Sequence, residues 1–462
     1  MRRVKRGPCS VLVGILTCLF VSVSATSADD IPLLRIATVD VDATPPIGSP
    51  VAYALTQSVV DPLHAKAIVL LPREQSPIVL FVVDWIGISN GGHDWWREGL
   101  AAAAGTTADR VAVHVVHQHD GAQCDRSIVA LLGEPARVTP HFDEAFLERV
   151  KSNVEQAIRE SIPRATEVTH VGFGKGEVQQ VASNRRLLGP DGKVVKMRFS
   201  SCRDAEAIAA PEGVIDPYVR LVSFWNGDQA LACLAYYATH PMSHYGKGNV
   251  SADFVGLARA AREQATHVPH LYFTGAGGNI AAGKYNDGSP ERRAVLADRM
   301  AEGMRKAWDA TVRQPLEPGQ VAWRVEPVSL PVGKHLDAVR LKTLLANATT
   351  SDRDRFGAAA DLAWLERCQA GKTIDLSCLR LGTIDILHMP GELFVEYQLA
   401  AQQMRPDGEV CLAAYGEYGP GYIGTTKAYA EGGYETSEPA SRVAPEVEPL
   451  LMAALQRLLR PQ

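Results

Sequence analysis

Three stretches of this chain, residues 65–71, 78–83 and 111–117, are almost continuously apolar and rich in Val, Ile and Leu. A strand that is apolar on both faces has to lie between two layers. These runs predict buried neighbouring strands, and they exclude a protein built only of helices. Further strands are expected at 218–225 and 230–239, joined at the hairpin signal Asn226-Gly227, and at 321–330 and 379–387. Amphipathic helices are expected at 143–160 (Phe146, Val150, Val154, Ile158), 290–313 (Leu296, Met300, Met304, Trp308) and 445–460 (Val447, Leu451, Leu455, Leu458). No Ser/Gly-rich linker or composition shift divides residues 31–462. The fold class is therefore α/β, a single large catalytic domain with mixed β-sheets flanked by helices. With 46% hydrophobic and 21% charged residues, a disordered main state is excluded.

The first 28 residues read as a signal peptide. Arg2, Arg3, Lys5 and Arg6 precede an apolar stretch at 11–23, which is followed by small residues up to Ala28. Thirteen apolar residues are too few for a stable membrane anchor. The expected location is secreted or periplasmic. Removing the peptide takes away four basic residues and no acidic one. That leaves 43 Lys+Arg against 52 Asp+Glu, which argues against nucleic acid as a partner. Six cysteines remain, and Cys368 with Cys378 is the best local candidate for a disulfide.

Five places carry residues suited to chemistry. His117-Gln118-His119-Asp120 ends an apolar strand, and on an extended chain His117 and His119 point to one side. Two imidazoles there suit zinc, substrate binding or proton transfer, with Asp120 able to orient a ring. A hydrogen-bonded strand-end pair is the plainer reading. Thr239-His240-Pro241 ends a second strand, with His244 as a weaker candidate in the following loop. Phe273 to Asn279 runs into glycines whose N–H groups can hold an anion, or simply form a tight turn. Met389-Pro390-Gly391-Glu392 puts a carboxylate at a strand-to-helix corner, and 415–434 is rich in Gly and Tyr, with Tyr422, Tyr429 and Tyr434.

In this order, the motifs resemble the catalytic domain of the neutral/alkaline, non-lysosomal ceramidases. Matching stretches run from Thr38 to Glu435. The resemblance implies a zinc ion (Zn2+) held by His117, His240, Glu392 and Tyr422. It also implies roles in substrate binding and catalysis for His119, Arg185 and Tyr434. Two departures stand out. Ala281 occupies the position of the family's nucleophilic serine, and the family's C-terminal immunoglobulin-like domain is expected to be missing.

Keeping the metal without the serine gives an exported zinc-dependent hydrolase, in which zinc lowers the pKa of a bound water to about 7. His119 or Asp120 would act as base, and Arg185 or Tyr434 would stabilise an oxyanion. Asn279 and the loop 284–287 would read a small-molecule substrate: polar, carbohydrate-derived or a lipid amide. The alternatives are a true ceramide amidohydrolase with a substitute nucleophile and a non-catalytic, metal-containing binding protein.

Overall fold

The computed structural model describes residues 1–5, 7, 8, 10 and 32–460. The apolar part of the expected signal peptide lies outside the described residues.

The buried runs form the first of three main sheets: β1 (Leu34–Asp42), β2 (His64–Pro72), β3 (Ile78–Val83), β4 (Val111–Val115) and the short edge strand β5 (Thr166–Glu167), in the order β5-β1-β2-β3-β4. The second sheet has β6 (His170–Glu177), β7 (Tyr218–Asn226), β8 (Gln229–Tyr237), β9 (His270–Thr274) and β10 (Val312–Pro315), in the order β9-β8-β7-β6-β10. The third runs in sequence order through β11 (Val321–Val328), β12 (Ile374–Leu381), β13 (Ile384–His388) and β14 (Glu409–Ala413). Each sheet is antiparallel except for one parallel pair: β3 with β4, β8 with β9, and β13 with β14.

Alternation along β2 and β3 divides the apolar side chains between two cores. Val69, Phe81 and Val83 face one; Ile68, Leu80 and Val82 face the other. Helices α1 (Asn90–Ala104) and α2 (Glu144–Ser161) pack on the first core, α3 (Asp253–Thr266) and α4 (Pro290–Asp309) on the second. Helices α5 (Asp352–Gln369) and α7 (Val447–Leu458) also join the first core, while α6 (Val395–Gln403) contributes to both.

Three expectations need correction. Residues 379–387 are not one strand: a turn at Gly382-Thr383, with Gly382 at φ +61°, separates β12 from β13, and Leu381 pairs with Ile384. The β7–β8 hairpin turns at Gly227-Asp228, because Asn226 pairs with Gln229. Cys368 and Cys378 are free thiols.

Candidate functional site

The chain leaves the parallel-paired strands at their C-terminal ends, the usual place for a site in an open α/β sheet. β4 leads to His117 and His119, β8 to His240, β9 to the glycine loop, β13 to Glu392 and β14 to the tyrosines after Tyr415. These ends converge. Glu392-Leu393 and Tyr422-Ile423 pair as short parallel strands, so Glu392 sits directly beside Tyr422.

Glu392 Oε2 lies 2.8 Å from His240 Nε2 and 3.3 Å from His117 Nε2. His119 Nε2 is 3.2 Å from His117 Nε2, and the Tyr422 hydroxyl is 3.4 Å from His240 Nε2. All four of His117, His119, His240 and Glu392 are buried. The backbone sets how they point. His117 Nδ1 donates to Ile86 O at 2.6 Å, and His240 Nδ1 donates to Gly277 O at 2.6 Å. In a neutral imidazole that leaves a lone pair on each Nε2. Both lone pairs then face a carboxylate oxygen, acceptor against acceptor. A cation bound between them resolves the conflict, so the donor set suits a metal ion. His117, His119 and His240 also place one nitrogen each within 4.8 Å of one another, a group able to hold a metal ion.

The electrostatics favour the same occupant. Burial pushes Glu392 up, but the His117 and His240 imidazoles more than offset it and hold the carboxyl well below its usual range. Burial, helped by the nearby Arg185 guanidinium, brings His240 down to about 4. Burial also takes His119 well below its ordinary value. The imidazoles lower the carboxyl only by placing a proton against it, and a cation in the place of those protons does the same; one carboxylate with two imidazoles is a suitable ligand set for zinc.

His117 does not extend the strand as expected. β4 stops at Val115, and His117 has φ +66°. That left-handed turn, rather than strand alternation, brings its ring against Tyr415, stacked with centroids 4.5 Å apart; Tyr415 is itself at φ +59°. Two non-glycine residues held in this region, stacked on each other, are strain concentrated at the site.

Several expected residues have their polar groups engaged within the protein. Asp120 is buried, which raises it to about 6; its carboxylate accepts from Gly246 N–H at 2.9 Å and faces Arg293 at 3.7 Å. The rings are oriented instead by backbone carbonyls and by Tyr53. Asn279 has partners within the protein: its amide donates to Glu396 at 2.9 Å and its carbonyl accepts from Val395 N–H at 2.9 Å, capping α6 from outside. Lys284 bonds the carbonyls of Ile208 and Ala210, and Asn286 those of Ser200 and Ser243, so the 284–287 loop is occupied internally. His244 points to Gly288 O.

Three N–H groups of the glycine loop also have partners within the protein. Gly275 N–H donates to Tyr237 O, Ala276 N–H to Gln398 and Gly278 N–H to Leu393 O. A Cβ on Gly278 would stand 2.2 Å from Glu392 O. This glycine lets two site segments pack against each other.

Arg185 lies behind the site. It bonds Glu435 at 3.0 Å and Gly278 O at 2.9 Å, and it hydrogen-bonds the Tyr422 side chain. It therefore positions Tyr422. Burial takes the Tyr422 hydroxyl well above 10, and Arg185 opposes that shift. Tyr434 stands at the mouth, 47% exposed, edge-on to Tyr422. Tyr429 bonds Ser441 and serves packing. Ala281 is buried next to His240: its neighbour Ile280 accepts from the His240 N–H.

Three tyrosines were not foreseen. Tyr418 donates to Glu392 Oε1 at 2.7 Å. The Tyr53 hydroxyl is 2.9 Å from His119 Nδ1, and the Tyr245 ring meets His119 edge-on at 5.2 Å. Tyr418 sits inside the Gly/Tyr-rich stretch, whose composition was a signal. Tyr53 and Tyr245 have no comparable mark.

No protein-family profile matches the sequence, and neither does any curated protein. Solved structures do match. A ceramidase complexed with C2 aligns at a TM-score of 0.65 and 16% identity, covering 93% of this chain and 74% of the other. The neutral ceramidase of Pseudomonas aeruginosa aligns at 0.65 and 17%, with the same coverage. At this identity the likeness concerns the fold, and the protein has the fold of the neutral ceramidases.

Proposed function

We propose that the protein is a zinc-dependent hydrolase acting on an amide, ester or glycan-derived substrate. The observation that carries this reading is the set of lone pairs converging from His117 Nε2, His240 Nε2 and Glu392 Oε2. Tyr422 completes the ligand set beside Glu392. Zinc held there would supply a Lewis acid and an activated water. The chain's own residues do the rest: Tyr418 orients Glu392, Arg185 holds Tyr422, His119 faces the reacting group, and Tyr434 closes one side of the mouth.

A serine mechanism is disfavoured at the matching position, because the Ala281 methyl can neither attack a carbonyl nor bind zinc. Ser183, its cross-strand partner, donates its hydroxyl to Ala281 O at 2.9 Å and is not a free substitute. Ceramide hydrolysis by another nucleophile is the second reading, favoured by the ceramidase neighbours. We place the mature domain at 29–462 and outside the cytoplasm, on the N-terminal pattern. No helix among the described residues is long and apolar enough to cross a membrane.

The test is a substrate screen of amides, esters and glycans, with and without chelator, on the full protein and on His117→Ala. Chelator-sensitive turnover of a non-ceramide substrate, lost in His117→Ala, is expected. Turnover of ceramide alone would favour the second reading, and chelator-insensitive turnover would contradict zinc dependence.

A further inference from the structure

Among the described residues the exposed aromatic side chains are Tyr53, Phe199, Tyr218 and Tyr434, and all but Tyr218 stand around the mouth of the site. Their contacts close into a circuit. The Tyr53 ring meets His119 at 5.6 Å and Tyr245 at 5.8 Å, centroid to centroid. The Tyr245 hydroxyl lies 3.0 Å from that of Ser200, and the preceding residue, Phe199, meets Tyr434 edge-on at 5.8 Å. Tyr434 meets Tyr422 at 5.7 Å, Tyr422 stacks on His240 at 6.1 Å, and His240 faces His119 at 6.2 Å. The lower arc, His119, His240 and Tyr422, belongs to the candidate metal site. The upper arc, Tyr53, Tyr245, Phe199 and Tyr434, is a collar above it.

Buried anchors hold these rings at the surface. Phe199 follows the short strand Val194–Met197, and the chain alternates there: Arg198 and Ser200 are buried, while Phe199 between them is 44% exposed. Arg198 fixes the inward side by donating to the carbonyls of Asn184, Ala207, Ala210 and Pro211. A Cβ on Gly283 would stand 2.2 Å from Phe199 O, so the backbone beneath the ring is closely packed. Tyr434 precedes Glu435, which is fully buried and pairs with Arg185 and Arg186 at 3.0 Å each. Tyr53, 58% exposed, sits in a turn docked by Ala52 N–H donating to Gly121 O at 3.1 Å. Exposed rings gathered at one mouth and fixed from below mark a ligand contact.

The chemistry of the collar selects its ligand. All four side chains are uncharged, and an aromatic ring is negative on its face and positive at its edge. The faces repel an anion, and no cation among the four offsets this. An ammonium group suits such faces, but in the hydrolase reading it would sit above a zinc ion with Arg185 behind it. A saturated chain gains nothing from these rings that an aliphatic lining would not give. C–H groups polarised by neighbouring oxygens, in contrast, are drawn to ring faces. Three of the four rings also carry a phenol, suited to a ligand rich in hydroxyls. We propose that Tyr53, Tyr245, Phe199 and Tyr434 form a subsite for a neutral, hydroxylated ring, a pyranose, and that the substrate is therefore carbohydrate-derived. This narrows the hydrolase reading and rests on it.

The experiment is saturation-transfer NMR followed by calorimetry on the full protein. The probes are the methyl glycosides of glucose, galactose, mannose and N-acetylglucosamine, with octanamide and choline for comparison. At least one glycoside is expected to bind, with saturation strongest at its ring C–H groups. Phe199→Leu and Tyr434→Leu keep apolar bulk but remove an aromatic face, and each is expected to weaken that binding by about 10-fold. Phe199→Tyr is expected to preserve it. No binding of any glycoside, whether or not octanamide or choline binds, would overturn the proposal. Glycoside binding untouched by both leucine variants would overturn it too. The wild-type panel decides even if the variants fold poorly. Chelator-sensitive hydrolysis without glycoside binding would overturn the subsite and leave the zinc hydrolase standing. Glycoside binding in a protein that hydrolyses nothing would support the subsite and count against the hydrolase reading alone.

Discussion

Two buried regions of this protein pair histidines with a glutamate, and they behave in opposite ways. In the first, Glu392 faces His117 and His240 at hydrogen-bond range, and its carboxyl is held well below the usual value. In the second, behind it, Glu417 lies near His93, with His114 and His388 lining the same small cavity. There, His93 Nδ1 and Arg367 each stand 3.6 Å from Glu417 Oε2, while Oε1 accepts from the N–H groups of Asn90 and Gly419. Burial outweighs these contacts and raises Glu417 to about 7. The first group remains anionic and suits a metal ion; the second relieves its buried charge by taking a proton. Residue type does not separate them. What does is whether the imidazole nitrogens come within hydrogen-bond range of the carboxylate, where a proton or a cation between them stabilises its charge.

That contrast can be broken by substitution. Glu392→Ala should cost zinc affinity more than the roughly 10–100-fold that loss of an outer partner costs, whereas Glu417→Gln should leave zinc binding intact; equilibrium dialysis checks both. Equal loss in the two variants would erase the distinction.

Glu417→Gln should instead change the pH dependence of stability. The folded value of about 7 lies above the ordinary 4.5, so the folded state holds the extra proton between them. The stabilisation is complete below about 4.5 and is lost as pH rises through about 7. The variant should lack this fall, a difference on the order of 3 kcal/mol in urea unfolding between pH 4.5 and 8.

Tyr418→Phe removes the donor to Glu392 Oε1 and should weaken zinc binding by about 10–100-fold with little change in stability. Asn279→Ala should show the reverse. It removes the outside cap of α6, costs about 1–2 kcal/mol, and leaves zinc affinity within a few-fold of wild type.

Much of the scaffold is legible in the sequence because buried strands leave a clear mark: the apolar runs at 65–71 and 78–83 lie within β2 and β3. Stripe-bearing helices such as α2 are equally plain. Helix α5 is not, since Ala358, Ala359, Ala360, Leu362, Ala363, Trp364 and Leu365 are all buried and no polar face sets a period. At the site, motif order picked out residues that do come together, His117, His240, Glu392 and Tyr422. It also drew in Asp120 and Asn279, whose polar groups bond backbone N–H groups and neighbouring side chains. Nearness to a motif does not reveal which partner a side chain takes. Tyr53 was missed for the converse reason, since its contact with His119 spans 66 positions.

The central claim is that His117, His240 and Glu392 hold a metal. Elemental analysis of the wild-type protein after dialysis against zinc tests it most directly. One zinc ion per chain, absent from His117→Ala and Glu392→Ala prepared alongside, is the predicted result; a folded wild-type protein that retains no zinc would contradict it.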